Sequence, residues 1–258
     1  MRNITTSMNS SYSLDEVLIC PKSSSEIRTI LESLLLNHVS NYQIVTFNTD
    51  FLRIASIDST FKAICKSSYM VVPDGVGIIF LVWLKYRVKI TRITGSDLFN
   101  ICFDIADKFS LRIALVGSSR ETLSRLKIIS HQKWSNAFVF TVSPTYEFEK
   151  NDELNSEVIN LLKDFKPDIL LVALGCPRQE KWIFANQKII GAKIGIGVGA
   201  VFDFYSGTIK RAPLLIQKFG FEWLWRLLHE PVRLGKRYIF YDLPFLIMSL
   251  LRIILRLK

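Results

Sequence analysis

Residues 69–80 read YMVVPDGVGIIF. An apolar run ends at Pro73, one acid follows, then Gly-Val-Gly, then a second apolar run. A short apolar run closed by Pro and Gly, with helix-compatible residues after it, is the strand–turn–helix junction of a βα unit. The carboxylate of Asp74 has two readings at this junction. It is an ordinary cap for the helix that follows, or a chemical group held at the end of a buried strand. The local sequence leaves both open.

The same alternation extends along the chain. Short β-rich runs occupy 43–47, 69–72, 112–116, 137–142, 169–174 and 193–198. Helical periodicity fits 25–38, 51–66, 96–109, 120–134, 153–165 and 179–187. The strand runs are nearly continuous in apolar residues, as expected when helices cover both sheet faces. Strand alternating with helix predicts right-handed βαβ units and a mainly parallel sheet, an α/β fold.

The 258 residues suit one large α/β domain with an appendage, and a hydrophobic content of 49% supports a sizeable core. The formal charge of +10 favours acidic partners such as phosphorylated small molecules, anionic lipid or nucleic acid. From Arg226 onward there are seven bases against two acids, half the net charge in the last eighth of the chain. Cys20, Cys65, Cys102 and Cys176 are not spaced as metal ligands and read as reduced core residues. The first 25 residues are polar and lack an apolar h-region, so no signal peptide is expected. No internal run is expected to reach the ~20 apolar residues of a membrane span.

In open parallel sheets, ligands bind beyond the carboxyl ends of the strands. Here those ends carry Asn48-Thr49-Asp50, PDGVG, Gly117-Ser118-Ser119, Ser143-Pro144-Thr145, GCPRQE and GAVFDFYSG. Gly117-Ser118-Ser119, ahead of a helix, suits an anion or supplies an ordinary serine cap. The GxGxxG and GxxxxGK[ST] fingerprints of dinucleotide and nucleoside-triphosphate sites are both absent. In GCPRQE, Gly175 permits a tight turn and Pro177 fits a first helical turn. Gln179 and Glu180 then either bind a sugar or ribose hydroxyl or complement the helix dipole. In RITGSDLF, Arg92 matches a phosphate bidentately or is a surface arginine before a helix capped by Thr94 or Ser96. Asp203, among apolar residues, is paired or functional, and pairing is the reading its sequence favours.

Residues 220–258 differ from the body and form a separate appendage after a catalytic domain spanning 1–219. GFEWLWRLLHEPVRLGKRY is aromatic and basic. FYDLPFLIMSLLRIILRLK then confines its polar groups at 242, 249, 252 and 256 to one narrow helical face. A wide apolar face with aromatic and basic flanks describes a helix lying in a membrane interface. Pro244 kinks or begins the final helix. An anion-binding rim joined to a membrane-seeking tail suits a nucleotide-activated donor and a lipid-phosphate acceptor. Glycosyl transfer between them needs a base for the acceptor proton and stabilisation of the departing diphosphate.

Six linked motifs, TFNTDFL, PDGVGIIF, RITGSDLF, LLVALGCPRQEKWI, GVGAVFDFYSGTIKRAP and GFEWLWRLLHEPVRLGKRY, resemble in that order the WecG/TagA/CpsF glycosyltransferases, over about residues 42–238. The resemblance implies a Rossmann-like α/β fold and inverting transfer from a UDP-sugar to an undecaprenyl-diphosphate-linked saccharide at the inner membrane face. Products of such enzymes feed wall teichoic acid, common antigen, capsule or other exopolysaccharide. It implies Asp74 as catalytic base, with Thr46, Asn48, Arg92 and Gln179 at active-site positions. It implies that Arg211, Arg226, Arg233 and Arg237 close over the site and meet the lipid diphosphate. Gly75, Thr94, Gly117, Ser118, Gly175, Pro177, Glu180 and Asp203 complete the expected substrate-binding rim. No metal or other cofactor is expected, peripheral membrane placement is, and the exposed apolar surface permits a homo-oligomer. The alternative is a non-catalytic nucleotide or nucleic-acid-binding module. Nucleic acid is not expected, because no recognisable nucleic-acid-binding signature appears.

Overall fold

Six apolar runs become one sheet, five of them buried almost throughout and the edge run at 138–142 only partly. A computed structural model describes residues 11–37, 41–210, 212–213, 215–216, 222–229 and 231–256. Ahead of the sheet lies a small antiparallel hairpin, β1 (Tyr12–Leu14) and β2 (Val17–Ile19), in a stretch too polar to be read as strand. The sheet strands are β3 (Tyr42–Phe47), β4 (Met70–Pro73), β5 (Arg112–Gly117), β6 (Phe138–Val142), β7 (Ile169–Ala173) and β8 (Ile194–Gly197). Their order is β4-β3-β8-β7-β5-β6, and every ladder is parallel. The Rossmann-like α/β expectation therefore holds.

Helices cover both faces. On one side α1 (Ser24–Leu36) and α5 (Gly95–Phe109) bring Ile27, Leu31, Phe99 and Phe103 into the main core cluster. On the other side α2 (Thr49–Ile57), α3 (Ser59–Ser67) and α4 (Val76–Tyr86) contribute Phe51, Phe61, Ile78 and Leu81 to a second cluster. The helix expected over 51–66 is two helices. Asp58 ends the first and caps the second, accepting from the Phe61 N–H at 2.9 Å, a competing local bond of the kind Asp favours. Next come α6 (Arg120–Lys133), α7 (Asp152–Phe165), α8 (Arg178–Ile190) and the short α9 (Val201–Tyr205).

The tail is helical: α10 (Glu222–His229), α11 (Pro231–Arg237), a π-helical turn at Tyr238–Asp242, and α12 (Leu243–Arg256). Pro244 sits where the π-helical turn passes into α12, the kind of local irregularity a proline inside a continuous helical stretch produces. One expectation changes. Leu234–Leu255 runs as one helical stretch of 22 residues, and its most apolar 18 residues have a mean hydropathy of 1.8, long and apolar enough to cross a membrane. Its few charged positions hid that length from a count of uninterrupted apolar residues. Phe245, Leu246, Leu250 and Ile253 nevertheless pack it lengthwise against the body beside α4. All four cysteines are free, and burial pushes the Cys65 and Cys102 thiols up to about 12.

Candidate active site

Three helices begin at the carboxyl ends of the sheet and point their N-termini at one cavity of about 420 Å³. Asn48 caps α2, its Oδ1 accepting from the Phe51 N–H at 3.1 Å. Thr94 caps α5 in a reciprocal arrangement with Asp97. Gly75 begins α4 with φ +127°, a conformation that favours glycine, and α4 has no side-chain cap. Converging N-termini give the cavity positive potential and free amide donors. Arg92 and Arg237 line it as well.

The opening choice for Asp74 is thereby narrowed. It follows β4, its own N–H bonds to the Phe47 carbonyl at 2.8 Å, and it caps nothing. Its side chain is half-buried and faces the cavity. Desolvation pushes its carboxyl up to about 6, against the lowering pull of Arg92 and a hydrogen bond from the Gly95 N–H. Glu222, reaching in from α10, adds a further upward push. Glu222 also lies 3.8 Å from the Arg92 guanidinium. A carboxylate held near 6 is ionised at neutral pH yet basic enough to take a proton from a hydroxyl.

Gly77 is needed for packing. A Cβ there would overlap the Thr49 hydroxyl, so glycine lets α4 start against the first turn of α2. The remaining wall comes from β8 and the tail. Val198, Ala200 and Val201 form one side, with Phe204 beyond. Trp223, Tyr238, Leu243 and Leu246 of the tail line it too, so apolar side chains stand beside its charged groups. Beneath Tyr238 an ionic cluster ties the tail to α2. Asp50 meets Arg53 at 2.6 Å and Arg237 at 3.6 Å, and Asp242 meets Arg53 at 3.5 Å and Arg237 at 3.4 Å. Burial and the neighbouring Asp50 raise the Asp242 carboxyl to about 6.

Of the residues expected from sequence, Asn48, Asp74, Gly75, Arg92, Thr94 and Arg237 meet at this cavity. The other described ones are placed elsewhere. Thr46 is buried in β3, and its hydroxyl donates to the Gly197 carbonyl at 3.2 Å. Gln179 is buried, its Oε1 accepting from the N–H groups of Gly175 and Gly199, both at 3.2 Å. The Gln179 amide donates to Glu180 at 2.7 Å. The expected sugar contact by Glu180 is corrected: its side chain lies under β8, where a Cβ at Gly197 would overlap it, and burial raises its carboxyl to about 7.

Asp203 is paired, as its sequence favoured, accepting from Ser118 at 3.0 Å and Thr122 at 3.4 Å. That bond occupies Ser118, whose carbonyl also accepts from Ser143 at 2.8 Å. Gly117 has φ +101°, and a Cβ there would meet the Ala173 carbonyl, so it serves strand packing. Ser119 is an ordinary cap of α6. Gly175 and Pro177 shape the turn into α8, away from the cavity. Arg211 lies outside the described residues, as do the side chains of Arg226 and Arg233. Sequence reasoning missed Glu222, Trp223, Tyr238 and Asp242 as cavity residues. GFEWLW was visible as a motif, but nothing local says that its acid returns to β4.

Three findings about related proteins bear on this site. The sequence profile of the Glycosyl transferase WecG/TagA/CpsF family matches residues 17–258. A protein of Bacillus spizizenii, named N-acetylglucosaminyldiphosphoundecaprenol N-acetyl-beta-D-mannosaminyltransferase, is 30% identical over 207 residues, covering 79% of this chain and 77% of its own. A Staphylococcus aureus protein of the same name is 28% identical over 200 residues, covering 76% of each chain.

Proposed function

The chain belongs to the WecG/TagA/CpsF glycosyltransferase family and is a hexosyltransferase, and we propose that it moves a sugar from a UDP-sugar to an undecaprenyl-diphosphate-linked saccharide. The observation that carries the reading is Asp74, desolvated and raised to about 6 in a cavity ringed by helix N-termini and two arginines. In the proposed step the acceptor hydroxyl oxygen attacks the anomeric carbon from the face opposite the leaving group. Asp74 takes the hydroxyl proton as the new C–O bond forms. The bond to the diphosphate breaks, UDP departs with the electron pair, and configuration inverts.

Arg92, Arg237 and the free amides of α4 and α5 face the place where negative charge develops. The proposal gives that role to arginines and helix ends, with no metal ion in the step. The apolar lining at Leu243 and Leu246 suits the first isoprene units of the acceptor. The names of the relatives make N-acetylmannosamine the first donor sugar to try, and an N-acetylglucosamine diphospholipid the first acceptor. The proposed setting is the cytoplasmic membrane face, in surface polysaccharide synthesis, with the tail as peripheral anchor.

The test is transfer from labelled UDP-sugars to that acceptor, with product configuration read by NMR. The reading expects a β-linked product with UDP-N-acetylmannosamine or another UDP-hexose. Failure to transfer from any UDP-sugar, with transfer from another activated donor, would overturn it.

A further inference from the structure

The tail is not the only part of the molecule with an unpartnered apolar face. Helix α4 belongs to the catalytic body, yet it is apolar nearly all round. Ile78, Leu81 and Val82 are fully buried, which one face of a body helix explains. Val76, Phe80 and Trp83 are not explained that way. They lie at i, i+4 and i+7 on one stripe, 42%, 45% and 38% exposed. Phe80 and Trp83 stack at 5.7 Å, and the Arg87 guanidinium sits over Trp83 at 5.4 Å. An amphipathic surface helix of a soluble body would place polar residues on this stripe.

We infer that α4 is a second lipid-docking element, lying beside α12 so that the catalytic cavity opens between two helices seated in an anionic bilayer surface. Three observations choose lipid as the occupant. First, α4 packs against α12, whose outer stripe of Leu243, Ile247, Leu251 and Ile254 is also exposed, so apolar surface is present on both helices of the pair. Second, the charge is of one sign. No acid occurs between residues 75 and 96, while Lys85, Arg87 and Lys89 are exposed at and just beyond the end of α4. Bases flanking a Trp/Phe face match an anionic headgroup layer. Third, the two helices share the cavity wall, through Val76 and Gly77 on one side and Leu243 and Leu246 on the other. A lipid-linked acceptor would then reach Asp74 without its chain crossing water. The ionic cluster of Asp50, Arg53, Arg237 and Asp242 fixes the start of α12 to α2 and so holds the pair in register.

The inference rests on the proposed lipid-linked acceptor, and its test separates the two. Phe80→Ser/Trp83→Ser changes exposed side chains only, and far-ultraviolet dichroism with thermal melting checks the fold. Full-length protein is sedimented with vesicles of phosphatidylethanolamine and phosphatidylglycerol, and with phosphatidylcholine vesicles. The double variant should lose about tenfold or more in partition to the anionic vesicles, since two aromatic side chains no longer bury there. Transfer to a water-soluble short-chain diphosphate acceptor should stay at the wild-type rate, while transfer to long-chain acceptor in vesicles falls in parallel with binding.

Unchanged partition of a folded variant would overturn the docking role. So would a wild-type dimer in lipid-free solution that Phe80→Ser/Trp83→Ser dissociates, which would make a second copy the occupant. If wild type fails with the soluble acceptor but the variant still loses vesicle binding, the acceptor proposal fails and the docking face stands.

Discussion

One sheet edge carries two unlike halves. At β3, β4 and β8 the loops part around a cavity where Asn48, Asp74, Arg92 and Thr94 converge. At β5, β6 and β7 the loops close on one another and on the outer part of the segment after β8, through Ser143 to Ser118, Ser118 to Asp203, and the N–H groups of Gly175 and Gly199 held by Gln179. Both halves offer Gly, Ser, Asp and amide groups, and from sequence they look equally chemical. The difference is where their hydrogen bonds go. A polar side chain whose capacity is met by neighbouring loops shapes a wall. One facing a cavity with a raised pKa can do chemistry.

Substitutions on the two halves should therefore have unlike signatures. The largest effect is expected from Asp74→Asn, which keeps the shape and removes the proposed base. Turnover should fall by roughly 10³-fold with an unchanged melting temperature, and a variant within a few-fold of wild type would break the contrast. Arg92→Ala should lower kcat by about 10²-fold, as for loss of one preorganised donor to developing charge, and Lys should restore only part of it. Gln179→Ala should act first on stability. It removes the acceptor of two part-buried N–H groups, a loss of roughly 2 kcal/mol in urea unfolding, and kcat/KM should drop less than for either cavity residue. Asp203→Ala should be the mildest, about 1 kcal/mol of stability and little change in turnover of the folded protein. Should Asp203→Ala instead abolish turnover without destabilising, the closed half would have to be reassigned to substrate.

The sheet was legible because burial on both faces leaves a continuous apolar run, which only a few folds can use. Each of the six expected strands forms within a residue or two of its predicted bounds. The β1–β2 hairpin was not legible, since three-residue strands carry too little pattern. Half the site was legible too, because strand ends in a parallel sheet announce their chemistry by position. Local sequence alone does not separate the surroundings of Asp74 from those of Asp203, or of Arg92 from those of Glu180. These depend on contacts between residues far apart in sequence: Ser118 with Asp203, Glu222 with Arg92, Gly197 with Glu180. The exposed stripe of α4 was hidden for a related reason. An apolar helix reads the same in sequence whether its outer face meets protein or lipid.

The central claim is that Asp74 works as a base because burial, reinforced by Glu222, holds its carboxyl up near 6. The most direct measurement is kcat/KM for sugar transfer as a function of pH, in wild type and Glu222→Gln. A base must be deprotonated to act, so activity should be full above the raised value and fall about tenfold per pH unit below it. The account predicts a wild-type acidic limb near pH 6. Removing the Glu222 charge takes away one upward push, so the limb should move to lower pH in Glu222→Gln. A wild-type limb in the ordinary aspartate range near about 4, or a limb that moves upward in the variant, would contradict it.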